Sequence, residues 1–173
     1  MVKKLLIVRH AEAGEADHGS KDIERYLTRS GQREAVHTGM YIKRHDLVPN
    51  LMVTSSAIRA FQTAQTIAEQ IKYPAEEIQE DQELYDASVR IFLRIVNELD
   101  VNCQSVLFVG HNPTVSYMAE LLTGETVGNM EPGSLVEIHF PMDSWKEVSQ
   151  NTGKLIQYIT PGQIEEDEHR PDN

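Results

Sequence analysis

Two histidines stand where apolar runs stop. Arg9-His10-Ala11 follows Leu5-Leu6-Ile7-Val8, and Val109-Gly110-His111 closes a second run that begins at Ser105. Short apolar runs with polar boundaries read as buried strands. Ligands of open α/β sheets bind outside the carboxyl ends of the strands, so one site shared by both histidines is expected. Arg9 adjoins the first histidine, and Arg59 falls in the first turn of a helix predicted after Ser55-Ser56. Guanidinium groups bind phosphate oxygens through paired hydrogen bonds and stay charged at any relevant pH. A helix start adds free N–H groups and a favourable dipole. Imidazole adds a nucleophile: near pH 7 much of it is neutral, and neighbouring guanidinium charge keeps the lone pair free. The chemistry implied is attack of His10 on phosphorus, a phosphohistidine enzyme, and release by water. Taken singly, each residue has an ordinary reading as a structural histidine, a helix-start residue or a paired surface arginine. Their shared placement carries the inference.

Positioning these groups requires alternating strands and helices. Residues 3–9 read as the first strand, followed by a polar loop with Gly14 and Gly19 that overhangs its end. Thr28 is expected to cap a helix reaching about Arg44, with Ala35, Val36, Met40 and Lys43 on one face and Gly31 and Gly39 weakening it. A strand at 51–54 leads to a helix capped by Ser55 or Ser56, with Phe61, Ala64, Ala68 and Ile71 on one face. Ile78 lies in a possible short edge strand, 81–86 read as loop, and Ser88 caps a helix carrying Phe92, Ile95, Val96 and Leu99. After the strand 105–109, Asn112-Pro113 reads as an N-cap followed by proline at the first helical position, with Gly124 closing that helix. Residues 134–140 and 154–159 read as two further strands extending the sheet. The fold class expected is α/β, a three-layer α/β/α sandwich with a mostly parallel central sheet.

Composition sets the outer limits. The chain has 173 residues, 40% of them hydrophobic, which suits one domain with its own core. We expect that domain to occupy 1–162, with 163–173 an acidic, solvated tail. Sixteen basic against 27 acidic residues give a net charge of -11, which opposes general binding to nucleic acid or anionic membranes. The apolar run after Met1-Val2-Lys3-Lys4 is too short for a signal peptide or membrane span, and the single Cys103 has no internal disulfide partner. A cytoplasmic location is the expectation.

The motifs together resemble the histidine phosphatase superfamily, the phosphoglycerate-mutase-like fold. The resemblance rests on Leu6-Ile7-Val8-Arg9-His10-Ala11, on Thr54-Ser55-Ser56-Ala57-Ile58-Arg59-Ala60-Phe61-Gln62-Thr63-Ala64, and on Val109-Gly110-His111-Asn112-Pro113, in that order. Arg9-His10-Ala11-Glu12-Ala13 at the start and the absence of long lid insertions look most like the SixA-type phosphohistidine phosphatases. So do Asp22, Arg25, Leu27, Thr28 and Gly31 at their spacing, and Thr152-Gly153-Lys154-Leu155. Tyr26 stands where proline is usual, and Ala11 where glycine is commoner. The resemblance implies His10 as nucleophile and Arg9, Arg59 and His111 as ligands of the transferred phosphoryl group. It also implies Glu83 as the carboxylate that protonates a leaving oxygen, with Glu80, Asp81 and Asp86 as competitors, and Arg25 as a further guide for substrate phosphate. A cofactor-free, metal-independent phosphatase with an open pocket follows, its substrate a phosphohistidine on a phosphotransfer protein. A phosphatase for a small phosphate ester is the alternative. A non-catalytic phosphate-binding module is disfavoured because the nucleophile is present.

Overall fold

The computed structural model describes residues 2–171. Its six strands are β1 (Lys3–Arg9), β2 (Leu51–Ser55), β3 (Gln79–Asp81), β4 (Ser105–Gly110), β5 (Leu135–Phe140) and β6 (Lys154–Ile159), in the sheet order β3-β2-β4-β1-β5-β6. The pairs β1/β4, β2/β4 and β2/β3 are parallel, and β1/β5 and β5/β6 antiparallel. Five α-helices flank the sheet: α1 (Arg29–Arg44), α2 (Ile58–Ile71), α3 (Val89–Asn97), α4 (Thr114–Thr123) and α5 (Pro161–Glu168).

Why β1 reads as an unbroken apolar run is clear from what covers it. Leu5 and Ile7 pack with Phe92, Ile95 and Val96 of α3 and with Val115, Met118 and Leu122 of α4. Leu6 and Val8 face the other way, into a cluster with Ile42 of α1, Ala60, Ala64 and Ile67 of α2, and Ile164 of α5. A strand buried on both faces has no polar side to alternate with.

Helix starts are set by local chemistry. Thr28 accepts from Gly31 N, and Ser88 from Ile91 N, as expected of N-caps. Two other starts differ from expectation. Ala57, not a serine, is the N-cap of α2, and the Ser55 hydroxyl is drawn into the site described below. α4 begins at Thr114 behind a cis Asn112–Pro113 peptide, with Pro113 as N-cap; the Asn112 amide reaches Asn129 and Met130 O instead of capping the helix. The buried face of α1 also differs. Met40 and Lys43 are exposed, while Ala35, Thr38, Gly39 and Ile42 are buried, because α1 crosses α2 closely at Gly39. A Cβ there would stand 2.8 Å from Gln70 Cβ.

The acidic end departs most from the sequence reading. Residues 161–168, expected to fall largely in a solvated tail, form α5, and its Ile164 is fully buried. Glu168 takes His37 Nδ1 and Arg44, both from α1, at 2.9 Å each. The helix has a capping box, Thr160 with Gln163, and a proline in its first turn. Asp172 and Asn173 of the expected tail lie outside the described residues.

One glycine bears on the loop after His10. A Cβ on Gly31 would lie 2.0 Å from Glu12 O, which also accepts from Thr28 N at 3.0 Å. Gly31→Ala should therefore force the 11–13 backbone off α1 and cost about 1–3 kcal/mol of stability, read from urea unfolding. A loss under about 0.5 kcal/mol would show that the loop yields freely.

Candidate active site

Parallel register assembles the site. Arg9 pairs with Gly110 across β1/β4, so the next residues, His10 and His111, leave adjacent strand ends together. Thr54 pairs with Val109 across β2/β4, which brings Ser55 level with Gly110. The imidazole rings of His10 and His111 lie 5.1 Å apart. His10 N donates to Gly110 O at 3.0 Å, locking the two ends.

The hydrogen bonds of His10 determine its tautomer. Nδ1 lies 2.8 Å from Ala11 O, a carbonyl that can only accept, so Nδ1 carries the proton. Nε2 is then left with the lone pair, and Arg59 Nε donates toward it at 3.4 Å. Burial chiefly, and then the charges of Arg59, Arg9 and Arg25, push the His10 pKa down to about 4 against the pull of the Ala11 bond. His111 is lowered to about 3, again by burial first, then by His10 and Arg59. Both rings are neutral at pH 7. A neutral, oriented imidazole in a cationic shell can attack phosphorus, and the shell can hold the equatorial oxygens.

Arg59 has a nearly buried side chain and is the most constrained of these groups. Nη1 donates to Asp22 O at 2.8 Å and Nη2 to Asp22 Oδ2 at 3.1 Å, while the guanidinium carbon sits 5.9 Å from the Tyr85 ring centre. Arg9 Nη1 donates to Met130 O at 2.7 Å, and its Nε is buried without a protein partner. Arg25 joins the same region through Asp22 Oδ1 at 3.1 Å and Gly14 O at 2.7 Å. Arg9, His10, Arg25, Arg59 and His111 are thus brought into one electrostatic neighbourhood.

Glu83 is not brought there. Its carboxylate is exposed and pairs with Arg94, and among the described residues no hydrogen bond, ion pair or ring contact joins it to His10, Arg59 or His111. The cause is local: Asp81 Oδ1 accepts from Glu83 N at 2.9 Å and opens a 3-10 turn, Gln82–Leu84, which sends Glu83 outward. Tyr85, two residues on, turns inward instead. Its ring meets His111 edge-on at 5.6 Å, and its hydroxyl donates to Asp22 Oδ2 at 2.6 Å. That bond, with Arg25 and Arg59, holds the Asp22 carboxyl down to about 2.

Three contributors escaped the sequence reading of the site: Asp22, Tyr85 and Ser55. Ser55 lies 2.7 Å from His111 Nε2 and is fully buried. Asp22 and Tyr85 are 63 positions apart, a separation that no local periodicity reports. For a metal, no group of three or more His, Cys, Asp or Glu residues is suitably arranged among the described residues. Nor is any helix among them long and apolar enough to cross a membrane.

Paired imidazoles and arginine forks at the carboxyl end of a three-layer α/β sheet define a phosphatase built around histidine. Comparison with known proteins makes the class specific. Residues 5–90 match the model of the histidine phosphatase superfamily (branch 1), a span that holds Arg9, His10 and Arg59. The structure assigned to phosphohistidine phosphatase SixA of Nakamurella multipartitia superposes with a TM-score of 0.78 at 25% identity, covering 93% of this chain and 97% of that one. Its counterpart assigned in Agrobacterium tumefaciens gives 0.79 at 25% identity, with 92% and 98% coverage. An uncharacterized protein of Mycobacterium tuberculosis is 26% identical over 163 residues, 89% of this chain and 99% of the relative. The chain belongs to the histidine phosphatase superfamily, and its fold is similar over nearly its whole length to the two SixA structures.

Proposed function

We propose that this phosphatase removes the phosphoryl group from a phosphohistidine carried by another protein, through a covalent intermediate on His10. His10 Nε2 attacks phosphorus in line with the departing nitrogen; Arg9, Arg59 and His111 take the equatorial oxygens, and Arg25 guides the incoming phosphate. Water then attacks phosphorus, and the His10–phosphorus bond breaks to regenerate the imidazole and release inorganic phosphate.

The observation that carries the choice of substrate is that neither Asp22 nor Glu83 stands beside His10 free to donate a proton. Asp22, the carboxylate in contact with Arg59, is held ionised, and Glu83 is engaged by Arg94. An alkoxide leaving group needs a proton donor, whereas a phosphohistidine protonated on its second ring nitrogen departs as neutral imidazole. The names of the two SixA-type structures support the same reading.

The test compares a phosphohistidine-bearing phosphotransfer domain, an aryl phosphate and an alkyl phosphate. We expect kcat/KM to fall in that order, with the alkyl ester at least about 100-fold below phosphohistidine. Glu83→Gln should change none of the three by more than about twofold. Ester turnover without phosphohistidine turnover would establish the small-molecule reading instead. A selective loss of ester turnover in Glu83→Gln would return Glu83 to the role of acid.

A further inference from the structure

The mechanism above asks His111 for a hydrogen-bond donor, yet a neutral imidazole has only one N–H, and its location is a matter of tautomer. Ser55 decides it. Its Oγ accepts from Ala57 N at 3.2 Å, so the hydroxyl hydrogen remains to be placed. The residue is fully buried, and among the described residues His111 Nε2, at 2.7 Å, is the one acceptor recorded for that hydrogen. If Nε2 carried the proton instead, it would donate to Ser55 and strand the hydroxyl hydrogen in the protein interior. An unpaired buried donor of this kind is disfavoured by about 1–3 kcal/mol. Accepting from Ser55 places the proton on Nδ1, which is buried without a protein partner, so one buried group is left unpaired where the other tautomer would leave two, Nδ1 and the hydroxyl hydrogen.

We propose that Ser55 is a positioning residue that fixes His111 as the Nδ1–H tautomer, giving the transferred phosphoryl group an oriented donor alongside Arg9 and Arg59. The two histidines thereby divide the work through opposite second contacts. Both carry their proton on Nδ1, but His10 spends it on Ala11 O and presents a lone pair, whereas His111 spends its lone pair on Ser55 and keeps its N–H. The His111 ring lies 5.1 Å from that of His10 and within the field of Arg59 and Arg9, where an anion is the fitting acceptor for its N–H. The inference on the reacting group rests on the reaction proposed for His10; the tautomer itself does not.

The experiment is nitrogen-15 NMR of histidine-labelled protein at neutral pH, with His111 assigned by its loss in His111→Gln. We expect Nδ1 at a pyrrole-like shift and Nε2 at a pyridine-like one. Ser55→Ala should move the pattern toward Nε2–H and lower kcat/KM on phosphohistidine about 100-fold, the typical cost of losing one donor to a developing charge. Ser55→Thr, which keeps the hydroxyl, should restore both readouts. An Nε2–H pattern in the wild type overturns the proposal, and that spectrum decides even if Ser55→Ala fails to fold. A folded Ser55→Ala that keeps either the wild-type tautomer or the wild-type rate overturns it equally. Full activity in His10→Ala would instead remove the proposed reaction and leave the spectra standing.

Discussion

His10→Ala is expected to lower kcat/KM by more than about 10⁴-fold on every phosphorylated substrate that the wild type turns over. The loss is large because the variant removes the atom that forms the bond, whereas the arginines retain only their affinity for the phosphate. Rapid quenching with radiolabelled substrate should trap an acid-labile phosphoprotein in the wild type and none in the variant. Retention of the label on the variant would place the nucleophile elsewhere. The low pKa of His10 adds a second signature. Its catalytic form is neutral, so the free enzyme should keep that form on acidification to about pH 5 and lose it around pH 4, where an ordinary histidine is lost near 6.5. Stability moves with the same protons. Between about pH 6.5 and 4 the unfolded chain takes up a proton on His10 that the folded protein refuses, so acidification favours unfolding, by about 3 kcal/mol at the lower end. Stability that instead rose across this window would contradict a buried, neutral His10.

How much of this was legible in the sequence depends on the reach of each signal. The strand ends were legible because a buried strand is a short apolar run, and the residue that breaks it marks where the site begins. Thr28 and Ser88 were legible because a cap acts within three residues. The N-terminal capping signal of α5 was present too, in Thr160, Pro161 and Gln163, but the acidic run after it dominates the composition. With Pro161 and Ile164 as its buried residues, this short helix shows almost no periodicity to read. The glycines of α1 weakened a helix signal that the structure bears out, for a different reason. Intrinsic propensity counts glycine against a helix, but at Gly39 the missing side chain permits the approach of α2, so tertiary contact overrides propensity. Glu83 and Tyr85 show the limit most sharply. They are two residues apart, and the Asp81 cap that turns one outward determines which reaches the site. Asp22 meets Arg59 and Tyr85, and Ser55 meets His111, only through the fold, across loops and strand ends whose separation in sequence carries no pattern.

The second large effect belongs to Arg59. Arg59→Ala should reduce kcat/KM about 10³-fold, and Arg59→Lys should recover little of that loss. Charge alone is not the requirement. In the structure one planar group meets three demands at once: Nη1 and Nη2 engage Asp22 O and Oδ2, and Nε faces His10 Nε2. An ammonium on a flexible stem can satisfy at most part of that geometry. In the proposed reaction Asp22 and Tyr85 therefore act through Arg59, holding its fork so that Nε remains opposite His10 Nε2. Removal of the guanidinium also removes one of the positive charges that keep His10 neutral, after burial the strongest of them. The acid limb of kcat/KM in Arg59→Ala should consequently move upward, toward the ordinary histidine range, while that of Arg59→Lys stays nearer the wild type. This separates two functions of one residue. The size of the rate loss measures how far the fork stabilises the phosphoryl group, and the displacement of the limb measures its field at His10. A rate loss of less than tenfold in Arg59→Ala would mean that Arg9 and His111 hold the phosphoryl group without it. An unmoved limb would assign the low pKa of His10 to burial and to Arg9 and Arg25.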